Sequence, residues 1–169
     1  SRLSLCWSTD WYFWPVYIRV PRSNVPDVFE EGHKFDMTKA VVLKEGKDVT
    51  IVTNGETTAE VIEAAGILAE QGIDVEIVHL PMVKPIDKEA IVKSAKKTNY
   101  VVTVENHSVI GGVGSAVCEV LAEEYPVKVH RLGVQDTFGQ SGDFDNLMKH
   151  YRLNSVELAE DIKKLMEEK

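Results

Sequence analysis

From Ala40 onward, short runs of β-branched and apolar residues alternate with stretches of helical periodicity. No other feature of the chain constrains its fold as much. DVTIVTNG (Asp48–Gly55), DVEIVHLP (Asp74–Pro81), YVVTVEN (Tyr100–Asn106) and VKVHRLG (Val127–Gly133) read as strands. Between them, ETTAEVIEAAGILAEQG (Glu56–Gly72), DKEAIVKSAKKT (Asp87–Thr98) and GGVGSAVCEVLAEEY (Gly111–Tyr125) read as helices. The first places Val61, Ala65 and Leu68 on one stripe and stops at Gly72; the second has Asp87 as its N-cap. Strand–helix–strand units close with right-handed crossovers into a mainly parallel sheet, so the fold class is α/β, a three-layer α/β/α sandwich. AVVLKEG (Ala40–Gly46) adds a strand joined to the next by a tight turn, which predicts that it runs antiparallel. VQDTFGQSGDFDNLM forms a loop that starts a short helix, and SVELAEDIKKLMEEK (Ser155–Lys169) is a last helix capped by Ser155.

Residues 1–38 have a different composition. They hold all three Trp, eight of the aromatic residues, and Pro15, Pro21 and Pro26. The segment is too apolar for a disordered tail, and too short and Pro-broken for a domain. It reads as the remnant of a preceding domain followed by a linker, with residues 39–169 as the second unit. VYIRV (Val16–Val20) is a strand ended by Pro21, and SNVPDVFEEGHKF is an extended linker.

The net charge of -8, without a Lys/Arg stripe, excludes nucleic acid as a partner. It is also poorly matched to an anionic membrane surface, and no stretch reaches the roughly 18 apolar residues of a membrane span. Cys6 and Cys118 are widely separated and fit a reducing, cytoplasmic setting, with Cys118 packed as a small hydrophobe. The five His residues form no ligand-spaced cluster with Cys or carboxylates, so no metal site is expected.

Four motifs bear on chemistry. In IGGVGSAV (Ile110–Val117), Gly112, Gly114 and Ser115 either free amide groups at a helix N-terminus for an anion or simply make a tight turn. It is not the dinucleotide fingerprint, because the third glycine position is Val117. In ENHS, Glu105 and His107 stand two residues apart at a strand's carboxyl end. They either do acid–base work or are polar loop residues at an interface. Arg22, fixed by Pro21, either offers a fork to a phosphate or is an exposed linker residue. Ser141 in DTFGQSGDF has no His/Asp partner at a recognisable spacing, which argues against a hydrolase nucleophile.

Taken together, VTNGETTAEVIEAA, VEIVHLPMVKPID, VTVENHSVIGGVGSAV and GVQDTFGQSG resemble the C-terminal domain of the transketolase superfamily, most closely the C-terminal subunit of split transketolases. The resemblance covers Val16 to the end, whereas residues 1–14 depart from the family pattern. It implies a five-stranded sheet of order 1-3-2-4-5. The turns at Asn54, Gly55 and Glu56 and at Asn106–Gly112 then flank one crevice at a topological switch point, to which Glu105, His107, Gly112, Gly114 and Ser115 also belong. It implies that Arg22 contacts a sugar-phosphate substrate, and that the whole enzyme transfers a two-carbon ketol unit using thiamine diphosphate and Mg or Ca. It gives this chain no catalytic residue and no cofactor of its own. Its partners would be an N-terminal, diphosphate-binding section and a second copy in a homodimer. Pro81 stands where deoxyxylulose-phosphate synthases and 2-oxo acid dehydrogenase β subunits carry Arg, which favours transketolase over those alternatives. A different class of reading is a non-catalytic assembly or effector-binding module using the Gly111–Ser115 turn.

Overall fold

The computed structural model describes residues 24–169. Ten elements follow in order: β1 (Val41–Lys44), β2 (Val49–Thr53), α1 (Thr57–Glu70), β3 (Val75–His79), α2 (Lys88–Thr98), β4 (Val101–Ser108), α3 (Val113–Glu124), β5 (Val129–Val134), α4 (Phe144–His150) and α5 (Ser155–Glu167). They build one five-stranded sheet in the order β1-β3-β2-β4-β5. Strands β3, β2, β4 and β5 are parallel, and β1 is antiparallel to β3. The expected order and the antiparallel first strand are both observed. The tight turn after β1 does not pair it with β2, however; β1 lies beyond β3, at the edge of the sheet.

β2 and β3 are buried along their whole length, because helices cover both faces of the sheet. On one face Val49, Ile51, Ile77, Val102 and Val104 pack against Val61, Ala65 and Leu68 of α1 and Leu158 and Ile162 of α5. On the other, Val52, Val78 and Val101 pack against Ile91 and Ala95 of α2 and Val117, Val120 and Leu121 of α3. The Val61/Ala65/Leu68 stripe therefore faces the core as predicted. Tyr100 spans to the last helix, its hydroxyl donating to the Leu165 carbonyl at 2.6 Å.

Local chemistry sets several boundaries. Asp87 caps α2 by accepting from the Ala90 amide at 3.2 Å, while its second oxygen accepts from the Ala40 amide at 3.0 Å, tying the start of the sheet to the helix. In the β1–β2 turn, a Cβ on Gly46 would lie 2.2 Å from the Val75 backbone, so only glycine lets the turn close against β3. β4 runs two residues past its expected end, because Ser108 pairs with Val134 of β5 beyond a register shift. The last helix is capped by Asn154 and not by Ser155: Asn154 is extended and its Oδ1 accepts from the Glu157 amide at 3.1 Å, while the Ser155 amide donates to Glu60 at 2.7 Å. Among the described residues, the linker is not simply extended. It turns back at Glu30–His33 through Gly32 (φ +84°), with the His33 amide donating to the Glu30 carbonyl at 3.1 Å.

Candidate functional site

β2 and β4 are neighbours, but the helices that follow them leave toward opposite faces: α1 joins the layer with α5, and α3 the layer with α2. The carboxyl ends of these two strands are thus a topological switch point, where an α/β sheet opens a crevice. Asn54, Gly55 and Glu56 stand on one side, and Asn106 and His107 on the other.

The crevice is bridged by the chain's own groups. The Asn106 Nδ2 donates to Glu56 Oε2 at 2.6 Å. Gly55 turns with φ +56°, and the Thr57 hydroxyl donates to the Asn54 carbonyl at 2.9 Å. His107 is exposed, and its Nδ1 lies 2.8 Å from the Ser108 carbonyl. A carbonyl only accepts, so Nδ1 carries a proton in this contact, and Nε2 is the ring's other nitrogen.

Behind this rim lies a buried charge. Glu105 is 1% exposed, and its carboxylate accepts from the Val113 amide at 2.7 Å and the Gly114 amide at 2.9 Å. Those amides open α3, whose N-cap is Gly112, with no side-chain cap and no acidic residue in its first turn. The negative charge that the helix N-terminus calls for is supplied from β4. The fit leaves no room at Gly112, where a Cβ would fall 1.8 Å from Glu105 Oε2. Ser115 is spent on the same turn: its hydroxyl donates to the Val109 carbonyl at 3.2 Å and accepts from the Gly111 amide at 2.9 Å.

The structure thus brings Glu105, Gly112, Gly114 and Ser115 together, but as a self-contained unit. Of the two readings of this turn, an anion site or a tight turn, the geometry favours the turn, because an internal carboxylate from the strand occupies the two amides. The same geometry removes Glu105 from acid–base work beside His107. The turn does not fit a diphosphate either, and among the described residues no group of three or more His, Cys, Asp or Glu could hold a metal. Arg22 and Cys6 lie outside the described residues. At the opposite end of the sheet a separate hollow of ≈ 310 Å³ is lined by Cys118, Leu121, Ala122, Pro126, Val127 and Val129. Burial pushes the Cys118 thiol above its ordinary range, which suits a packed rather than a reactive cysteine.

The sequence reading missed two features. One is the capping role of Glu105, which the bare N-terminus of α3 could have signalled. The other is His79 at the end of β3. It is buried, its Nδ1 lies 3.1 Å from the Thr58 hydroxyl, and burial holds it below the usual imidazole range.

A family model, "Transketolase, C-terminal domain", matches residues 38–158. The chain belongs to the transketolase C-terminal domain family. A Methanocaldococcus jannaschii protein carrying the provisional name of a transketolase C-terminal section is 44% identical over 160 residues, covering 93% of this chain and 49% of the relative. A 6-deoxy-6-sulfo-D-fructose transketolase subunit from a Clostridium species is 44% identical over 155 residues, covering 92% of this chain and 48% of the relative. A solved split-gene transketolase, described as an inactive β4 tetramer, superposes with a TM-score of 0.81 at 48% identity, covering 86% of this chain and 48% of that one. 1-Deoxy-D-xylulose-5-phosphate synthases match at lower identity, 38% over 150 residues in Caldanaerobacter subterraneus, with 88% of this chain and 24% of the relative covered. The chain spans about half the length of the transketolase relatives it matches.

Proposed function

We propose that this chain is the C-terminal part of a thiamine-diphosphate-dependent transketolase that moves a two-carbon ketol unit from a ketose phosphate to an aldose phosphate. One observation carries the reading: at 44% identity over 93% of its length, the chain matches a protein named as a transketolase C-terminal section. In this reading residues 1–38 are the end of the pyrimidine-binding domain and a linker, residues 39–169 are the C-terminal domain, and Arg22 binds the substrate phosphate.

The cofactor would be held elsewhere. Thiamine diphosphate supplies the carbanion chemistry when bound. Its diphosphate needs oxygen ligands for a metal or a free amide cradle, and the amides of the glycine turn already hold Glu105. An N-terminal, diphosphate-binding section is therefore the partner, with a second copy of the chain completing a homodimer in the cytoplasm. Ile110 and Phe138, 59% and 95% exposed, follow β4 and β5 at the carboxyl end of the sheet and suit a surface that a partner covers.

The test is reconstitution. The chain alone should show no ketol transfer, and no saturable thiamine diphosphate binding in a titration with magnesium. The chain extended to a complete pyrimidine-binding domain and mixed with a diphosphate-binding section should show activity on sugar phosphates. Micromolar cofactor binding by the chain alone, or a mixture that assembles without activity on any ketose phosphate, would refute the reading.

A further inference from the structure

The loop after β5 holds an aromatic ring out to solvent. Phe138 is 95% exposed, more than any other large apolar side chain among the described residues. Its loop is braced on both sides. At the root, the Gln135 Nε2 donates to the Gly133 carbonyl at 3.1 Å and to the Arg131 carbonyl at 3.3 Å, covering part of the open edge of β5. Near the tip, the Tyr151 hydroxyl accepts from the Gln140 amide at 2.8 Å and lies 3.4 Å from the Phe138 carbonyl. A ring carried on a tied backbone loses little further freedom when a partner buries it. Ile110, 59% exposed, follows the neighbouring β4. The Val109 amide donates to the Val134 carbonyl at 3.0 Å, so the two loops leave the sheet side by side.

Charge decides what can cover this surface. Asp136, Asp143 and Asp145 are exposed on the segment that carries Phe138, and Glu56 stands half-buried at the crevice. From Gln135 to Met148 the chain has no Lys or Arg. Arg131 reaches this side with its guanidinium on the Val109 carbonyl at 2.7 Å, and leaves the acids in excess. A second copy docked through the same patch would set each acid against its own counterpart, which an interface tolerates poorly. The linker joins the domain elsewhere. It packs on β3, where Phe29 stands edge-on to His79 with centroids 5.4 Å apart, backed by Phe35 at 4.7 Å and His33 at 4.8 Å. In the order β1-β3-β2-β4-β5, that is three strand spacings from β5, or about 14 Å. We propose that Phe138 and Ile110 anchor the diphosphate-binding section, entering an apolar surface of that section bordered by Lys or Arg. The proposal rests on the reading of the chain as the C-terminal part of a transketolase whose diphosphate-binding section is separate. It assigns the carboxyl end of β4 and β5 to that section, and leaves a second copy of the chain to another face.

The test titrates the chain, extended to a complete pyrimidine-binding domain, with the diphosphate-binding section. Phe138→Ala should weaken association about thirtyfold, the effect of truncating a buried aromatic anchor, and Phe138→Leu should recover most of it. Because the ring is exposed in the chain itself, thermal unfolding of both variants should match wild type. Asp136→Lys and Asp143→Lys should each weaken association about fivefold, and wild-type association should slow about tenfold between about 50 and 500 mM salt. Sedimentation of the extended chain alone should give the same oligomer for wild type and Phe138→Ala. If Phe138→Ala associates within about twofold of wild type while the wild-type pair is active, the anchor is overturned and the reading stands. If Phe138→Ala instead separates copies of the extended chain, the face belongs to a second copy and the choice of partner is overturned. Association that Phe138→Ala weakens but salt leaves unchanged overturns the Lys or Arg border. A wild-type pair that does not assemble removes the reading, and the anchor with it.

Discussion

The Glu105 cap makes a quantitative prediction. Glu105 is buried and holds the Val113 and Gly114 amides at 2.7 and 2.9 Å. Glu105→Ala leaves two buried N–H donors without partners. At roughly 1–3 kcal/mol for each unsatisfied group, the loss should be about 2–6 kcal/mol. Glu105→Gln keeps one acceptor oxygen but turns an NH2 toward the other amide, so it should lose about half as much. Gly112→Ala approaches the same contact from the other side, because its Cβ would lie 1.8 Å from Glu105 Oε2 and must expel the carboxylate. Once Glu105 is already alanine, that methyl has little to displace. The two substitutions should therefore be strongly non-additive, with a coupling of about 1.5–3 kcal/mol in a double-mutant cycle. Urea unfolding, read from the midpoint at constant m, measures all four species; with m of about 2 kcal/mol/M, each 2 kcal/mol moves the midpoint by about 1 M. Additivity within about 0.5 kcal/mol would refute the claim that Gly112 is glycine for the sake of Glu105. A loss below about 1 kcal/mol in Glu105→Ala would refute the cap itself.

Three further outcomes follow from the geometry. Asp87→Ala removes both the α2 cap and the tie to Ala40, and should cost about 1–3 kcal/mol by thermal or urea unfolding, with Asp87→Asn recovering part of it. Tyr100→Phe deletes the hydroxyl that donates to the Leu165 carbonyl. It should cost about 1 kcal/mol and speed hydrogen exchange in the last turn of α5 more than elsewhere. His79 has its pKa lowered by burial, so the unfolded chain takes up the proton first. Its share of stability is complete above the ordinary imidazole value near 6.5 and is lost as pH falls from there through the lowered folded-state value. His130 acts in the same sense and Glu60, raised by burial, in the opposite one, so melting temperature should be followed from about pH 7.5 to 5 in wild type and His79→Phe. The wild-type curve should fall more steeply; parallel curves would remove His79 from the account.

The strands were legible because each is a short β-branched run bounded by turn residues, and their alternation with helices leaves few topologies. The strand order required the family resemblance, since nothing local says that β1 pairs with β3 in preference to β2. Boundaries were legible only where a local bond decides them. Asp87 bonds Ala90 three residues on, and was read correctly as a cap. Asn154 and Ser155 are both good capping residues, and the choice was made by Glu60, which takes the Ser155 amide from 95 residues away. Glu105 shows the same limit at the site. An acid at a strand's carboxyl edge looks available for catalysis until the fold places it under the N-terminus of α3. The cluster around His79 was likewise hidden, because its rings lie in two segments that only the folded chain brings together.

These contacts limit what the crevice can do. Asn106 is bound to Glu56, Ser115 to the backbone of its own turn, and Glu105 to α3, so the polar groups of the switch point satisfy one another. His107 stands there with an open nitrogen, and its nearest strand acid is sequestered. The Ser108 carbonyl orients the ring through Nδ1, but with Glu105 sequestered under α3 the histidine has no neighbouring strand acid to work with. His107→Ala should therefore leave KM and kcat of the reconstituted enzyme within about twofold of wild type, and flatten no limb of its pH–rate profile. Its stability cost should also be small, about 0.5–1 kcal/mol, because the ring is exposed and makes one hydrogen bond. A tenfold fall in kcat, or loss of a pH limb near the imidazole range, would show that the crevice takes part in the chemistry. The self-satisfied rim would then have to open when the partner binds.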